Sequence, residues 1–208
     1  MLVALALALA AAGPPVIEAI TDAEDAPGVR AVFDVDTDAD VVLELLWDVA
    51  RFKTVFPDIQ ELAVMKRPDD STVEVRFVVD AVIAKPNYTL RRKIDRVARR
   101  ISWVSIAGDL KKIVGHWHIT PLIVADGVRP RCRVSYQTVV DVGVPGASSI
   151  YRSVVMGKVE QVIERVRQAS ALAAQTAAAK PTTTPTTTTL PAPTTTTTSA
   201  LAAPSTGP

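Results

Sequence analysis

The sequence predicts an α+β domain in which a curved antiparallel sheet is covered by one long C-terminal helix. Three observations predict it. Runs of alternating β-branched and aromatic residues fill the middle of the chain, short connections containing Gly, Asn or Pro separate them, and a single long amphipathic segment follows. Short connections mean antiparallel neighbours, because parallel strands need long crossovers. A sheet of this kind must bury its inner face, and the C-terminal segment is the one long element available to cover it.

The chain has 208 residues, and its two ends do not read as packed protein. Residues 1–12, MLVALALALAAA, are apolar and carry Ala-x-Ala spacings at Ala8, Ala10 and Ala12, the pattern of a signal-peptidase site. The run is shorter than the roughly 20 apolar residues that span a bilayer. It is read as a signal peptide, with export to the periplasm or the outside expected, although no Lys or Arg precedes the apolar run. Residues 13–27 read as a linker. From residue 175 to 208 the chain becomes a Thr/Pro/Ala tract with no apolar periodicity, read as a disordered, extended tail whose threonines are acceptors for O-glycosylation. Residues 28–174 remain for one domain, long enough to bury a core without disulfides. Cys132 is the only cysteine, read as a small buried hydrophobe. With 23 basic and 22 acidic residues there is no chain-wide field to attract nucleic acid.

Within the domain, Val29–Asp36 (VRAVFDVD) is the first strand. Asp38 or Thr37 caps the helix that follows, with Asp40 favourably placed in its first turn and Val42, Leu45, Leu46 and Val49 at helical spacing. ARFKTVFPDI adds a second short helix before Pro57 stops it. Val73, Val75, Phe77, Val79, Ala81 and Ile83 then share one strand face; after the Lys85-Pro86-Asn87 turn, Tyr88, Leu90 and Ile94 share another.

Gly108-Asp109 predicts a two-residue type II′ hairpin, with Val104 opposite Ile113. That register puts Val104, Ile106, Ile113, Gly115, Trp117 and Ile119 inside and Trp103, Lys112, Val114, His116 and His118 outside. One added bulge residue would bring Trp103 inside as well. Gly115 in the apolar face lets another group approach the backbone closely. Cys132, Val134, Tyr136, Thr138 and Val140 form the inner face of the last strand. The closing helix, with Ser148 as its N-cap, presents Ile150, Val154, Val155, Val159, Val162, Ile163 and Val166 on one broad face.

The order of these elements, together with Trp47-Asp48, Phe52, Phe56-Pro57, Gly108-Asp109-Leu110, Gly115-x-Trp117, Pro121 and Val144-Pro145, resembles the SRPBCC or START-like superfamily over about Val29 to Ser170. The polyketide cyclase/dehydrase and coenzyme Q-binding type branch is the most similar part of it. The resemblance implies a helix-grip fold, a seven-stranded antiparallel sheet around the C-terminal helix, with an apolar tunnel for lipids, quinones or polyketides. It does not imply catalysis, since no catalytic motif runs through the superfamily.

The expected cavity lining is Phe77, Val79, Tyr88, Leu90, Arg92, Val104, Ile113, Trp117, Ile119, Tyr136 and Val155. The same residues would make a solid core, and periodicity alone does not separate the two. Arg92 alternates with Tyr88, Leu90 and Ile94, so it can meet a ligand carboxylate or phosphate, form a salt bridge at the mouth, or lay its stem over apolar surface. His116 and His118 form a two-apart pair facing outward, read as surface histidines rather than metal ligands. Asp80 and Glu74 sit on polar strand faces, so no catalytic acid or base is assigned and no cofactor or metal is expected. Arg91, Lys93, Arg96, Arg99, Arg100, Lys111 and Lys112 form either a solvated flank or a transient dock for anionic lipid headgroups. The favoured function is non-catalytic binding or transport of an apolar small molecule by a monomer. A cyclase/dehydrase-type enzyme using Tyr88, Tyr136 or Arg92 is the first alternative, and a protein-interaction module the second.

Overall fold

The computed structural model describes residues 13–80, 85–125, 129–143 and 148–179, with side chains of the last segment described from 156 to 176. The expected signal peptide, most of the tail, Ala81, Ile83 and the side chains of Ser148, Ile150, Val154 and Val155 lie outside the described residues.

The described chain is an eight-stranded antiparallel sheet with two short helices on one side and a long C-terminal helix. The strands are β1 (Val16–Thr21), β2 (Pro27–Val35), β3 (Ile59–Asp69), β4 (Thr72–Val79), β5 (Asn87–Asp95), β6 (Arg100–Gly108), β7 (Lys112–Leu122) and β8 (Arg131–Asp141). They lie in the order β1-β2-β8-β7-β6-β5-β4-β3. Helix α1 (Ala39–Trp47), a 3-10 turn (Val49–Arg51) and α2 (Phe52–Val55) follow β2, and α3 (Ser148–Ala179) closes the chain.

The sheet has eight strands where seven were expected. The extra one is β1, in a stretch assigned to the linker. VIEAIT pairs with β2 from Val16 opposite Val32 to Thr21 opposite Pro27. Its turn is organised by Asp22, whose carboxylate accepts from the Ala26 and Glu24 backbone N–H groups and from Lys112 Nζ at 2.7 Å. This long-range ion pair joins the strand to β7, a contact that no local pattern announces. At the other end, α3 continues to Ala179, so residues 175–179, assigned to the tail, are helical.

Asp38 caps α1 as expected, accepting from the N–H groups of Asp40 and Val41. The chain then turns through the 3-10 segment, capped by Asp48, and α2 ends shortly before Pro57. In α3, Val159, Ile163, Val166 and Ser170 are buried at helical spacing. This part of the helix packs on β2, α1 and α2.

The β6–β7 hairpin differs from the expected register by one residue. Trp103, not Ser102, stands beside the inner position Gly115, and Val104 pairs with Val114 rather than Ile113. β6 also carries a bulge against β5, which changes the face its residues present. Ala107 pairs with Thr89 while Ser105 pairs with Leu90, which leaves Ile106 as the extra residue on β6. Ser105 Oγ accepts from the Ile113 N–H at 2.9 Å, next to the point where the β6–β7 backbone register ends. Val104 and Ile106 consequently face outward, 45% and 40% exposed, and Val104 is not part of the inner lining. Gly108 adopts φ 124°, and a side chain there would collide with the Asn87 carbonyl oxygen and Tyr88 Cα. Glycine is required at this point by the close approach of β5 as well as by the turn.

Gly115 is the second glycine with a steric role. A Cβ there would stand 2.5 Å from Trp103 Cζ2 and would also collide with the Gln137 carbonyl oxygen. Gly115→Ala is therefore expected to destabilise the domain by about 2 kcal/mol, roughly 4–8 °C in melting temperature, measured by thermal unfolding. The Asp22 tie should be pH-dependent. Lys112 draws the Asp22 carboxyl down from 3.8 to about 2, so its stabilisation is present above the ordinary carboxylate range and lost as the pH falls through about 2. Asp22→Asn should accordingly lower urea stability at neutral pH and cease to differ from the wild type in strong acid.

Candidate ligand site on the inner face of the sheet

One inner face runs across the strands: Ala31, Tyr136, Trp117, Ile101 and Ile94 form one row, and Val29, Thr138, Gly115, Trp103, Arg92 and Val73 the next. Further rows bring Val140, Ile113, Ser105, Leu90 and Val75 together, and then Gly108, Tyr88, Phe77 and Leu62. The face is dry around Trp117, Ile101, Ile119, Phe33 and Val73, which are fully or almost fully buried, as are Val42, Leu43 and Leu46 of α1. By contrast, Tyr88, Trp103, Tyr136 and Val79 retain accessible surface, as do Phe52 and Phe56. The inner face is thus packed solid in one region and aromatic but incompletely covered in another.

The aromatic groups fall into two connected sets. Phe56, Phe52, Phe77 and Tyr88 follow one another at centroid separations of 5.2, 5.8 and 5.6 Å. Trp117 and Tyr136 lie 4.2 Å apart, with Trp103 at 6.0 Å from Tyr136 and 6.3 Å from Trp117. These separations and tilts suit aromatic side chains, whose quadrupoles disfavour a face-to-face sandwich.

Arg92 lies between the two sets and is 1% exposed. Its guanidinium donates to Leu46 O at 2.6 Å and Trp47 O at 3.2 Å, and lies 4.3 Å from the Phe52 ring centroid and 5.1 Å from that of Trp47. The last carbonyls of a helix have no intrahelical donor and carry partial negative charge, so the cation caps α1. Burial pushes its pKa down to about 9, which leaves it charged at neutral pH. Of the three roles open to Arg92 in the sequence, the salt bridge at the mouth is replaced by these carbonyl and aromatic contacts.

Burial pushes the Tyr88 phenol up to about 12. Tyr136 is raised further, chiefly by burial, with the Thr138 hydroxyl pulling back and Tyr88 adding to the rise. Both phenols are protonated at neutral pH and can donate a hydrogen bond. Among the described residues, the inner strand positions carry no carboxylate, imidazole or amine. The site can therefore desolvate, stack and donate, but these positions supply no general base.

Of the expected lining, Phe77, Val79, Tyr88, Leu90, Arg92, Ile113, Trp117, Ile119 and Tyr136 face inward. Trp117 and Ile119 belong to the solid core, Val104 faces out, and the Val155 side chain is outside the described residues. Trp103, which the register predicted from the Gly108-Asp109 turn places outside, and Phe52 and Phe56, which are not in the expected lining, also belong to this inner region. A tryptophan paired across a glycine was the available signal, since an aromatic ring can cover the gap a glycine leaves in a sheet.

On the other face, His116 sits beside Gln137 and Ser102, with its pKa lowered by burial and then by Arg100. Cys132 is fully buried and its thiol is pushed up to about 12. Within the basic stretch, Arg91 pairs with Glu74, Arg96 with Glu44 and Arg99 with Asp40, while Lys111 pairs with Asp141. Much of the expected basic flank is thereby neutralised by carboxylates.

Residues 35–167 match the family model described as polyketide cyclase/dehydrase and lipid transport. The fold is shared with a protein of Thermus thermophilus, at TM-score 0.60 and 20% identity over 71% of this chain and 99% of the other. A START superfamily protein from Mycobacterium smegmatis aligns at TM-score 0.59 and 15% identity over 70% and 97% of the two chains. The Zhui aromatase/cyclase from a Streptomyces species aligns at TM-score 0.53 and 20% identity, covering 71% and 93%. No curated protein matches the chain significantly in sequence.

Arg92→Met keeps most of the stem but leaves two buried carbonyls without a donor. It should cost about 2–3 kcal/mol in urea unfolding. Arg92→Lys should recover less than half of the loss, because an ammonium cannot lie flat against Phe52 while donating to two carbonyls.

Proposed function

The chain belongs to the polyketide cyclase/dehydrase and lipid transport family, and from that premise we propose that it holds or shuttles an apolar molecule on the aromatic inner face of the sheet without chemical turnover. The observation that carries this reading is the accessible aromatic region at Tyr88, Trp103 and Tyr136, bounded by a solid core and free of carboxylate, imidazole or amine among the described strand positions. Binding would be driven by desolvation, at about 25 cal/mol per Å² of apolar surface before ordering costs. The phenols of Tyr88 and Tyr136 would orient the ligand through an oxygen atom.

A second reading is a cyclase/dehydrase-type enzyme, supported by the same two phenols. A protonated tyrosine in a dry site can polarise a ligand carbonyl while the walls hold a reactive chain folded. Basic-flank docking on a membrane has less support, given the ion pairs of Arg91, Arg96 and Arg99. The place of action follows from reading residues 1–12 as an export signal. Cleavage after Ala12 would leave the domain starting at Gly13, whose carbonyl accepts from Arg167 Nη2 at 3.0 Å.

Native mass spectrometry of the protein from its own host, with organic extraction of any adduct, tests these statements together. A stoichiometric apolar adduct that is recovered chemically unchanged, on a chain beginning at Gly13, is expected. An apo mass that acquires no lipid, quinone or polyketide would overturn the binding reading. Tyr136→Phe separates the two functions: a carrier loses about two- to tenfold in affinity, the worth of one hydrogen bond, whereas an enzyme of the second kind loses turnover with binding intact.

A further inference from the structure

Trp103 is an inward-facing aromatic group in a strand whose hairpin turn predicts that it faces out. The bulge at Ile106 reverses its side, and Gly115 makes room for the ring. Tyr136 and Trp117 flank it at 6.0 and 6.3 Å, and Arg92, fully buried, is its neighbour on β5. With these neighbours the indole has little freedom to swing aside, yet it is not fully covered. It is a rigid, preorganised plane at the border between the solid core and the accessible part of the inner face.

We infer that Trp103 selects the shape of the ligand: it accepts uncharged planar ring systems bearing carbonyl oxygens and disfavours flexible acyl chains. The inference rests on the ligand-binding reading above. Stacking rewards a flat unsaturated ring beyond the area it buries. A flexible chain gains no such term and loses more rotational freedom on binding. The polar groups point the same way. Tyr88 and Tyr136 supply neutral hydrogen-bond donors, which suit a carbonyl oxygen. A carboxylate head would need a cation, and Arg92 is already engaged with the Leu46 and Trp47 carbonyls.

Equilibrium dialysis of the full chain against a hydroxyanthraquinone and against hexadecanoate tests this. The wild type should bind the anthraquinone at least about tenfold more tightly than hexadecanoate. Trp103→Ala should lose about tenfold on the anthraquinone and bind hexadecanoate equally well or better. Trp103→Phe, a smaller ring in the same place, should fall between them and decides the matter if circular dichroism shows that the alanine variant does not fold. Equal affinity of the wild type for both probes, or unchanged preference in the variants, would overturn the role of Trp103 and leave the binding reading standing. Failure of the wild type to bind either probe would overturn the binding reading and this inference with it.

Discussion

At the centre of β5 the Arg92 guanidinium donates to the last two carbonyls of α1 and lies beneath the Phe52 ring, so the helical elbow from Ala39 to Val55 is tied to the sheet through one cation. Buried Val42, Leu43 and Leu46 and the pairs of Arg96 with Glu44 and Arg99 with Asp40 add to this tie, for α1 is only nine residues long and α2 four. Helices this short are not stable by themselves. Their packing positions Val42, Leu43 and Leu46 over Trp117 and Ile101, which makes one region of the inner face solid. It also sets Phe52 and Phe56 against Phe77 and Tyr88. A buried cation is costly unless it is paired. Here the helix terminus and two aromatic faces take the place of a carboxylate.

The division of the inner face into a dry region and an accessible one makes the same apolar residue types serve two ends. Trp117 and Tyr136 are paired across β7 and β8 and touch, yet Trp117 is enclosed and Tyr136 keeps accessible surface. The border between the regions runs through Trp103 and Arg92, neighbours across β5 and β6. Among the described residues, the groups at this border are phenols, an indole and a guanidinium.

Outside, the charges are arranged in pairs that close the ends of the sheet. Asp34 binds Arg133 and Asp36 binds Arg131 across β2 and β8, while Lys112 bridges the β1–β2 turn and β7. Arg167 reaches from α3 to the Asp34 carbonyl and to Gly13, and so ties the start of the described chain to the long helix. Individually, exposed pairs contribute little to stability. Their effect here is on placement, since each joins elements far apart in the sequence.

Much of this architecture was legible in the sequence because it depends on local pattern. The period-two runs located the strands from Val73 to Asp141, Asp38 and Pro57 bounded the helical elbow, and Val159, Ile163 and Val166 marked the covered face of the last helix. Nine of the eleven expected lining residues face inward for the same reason, since side-chain alternation along a strand needs no knowledge of its neighbours. Alternation within one strand cannot show how that strand meets the next. The bulge at Ile106, the seating of Trp103 on Gly115, the recruitment of Val16–Thr21 as an eighth strand and the capping of α1 by Arg92 each depend on a partner in another element, in the last case 46 positions away. These contacts exist only once the sheet has formed, and they decide which aromatic groups are enclosed in the core and which keep accessible surface.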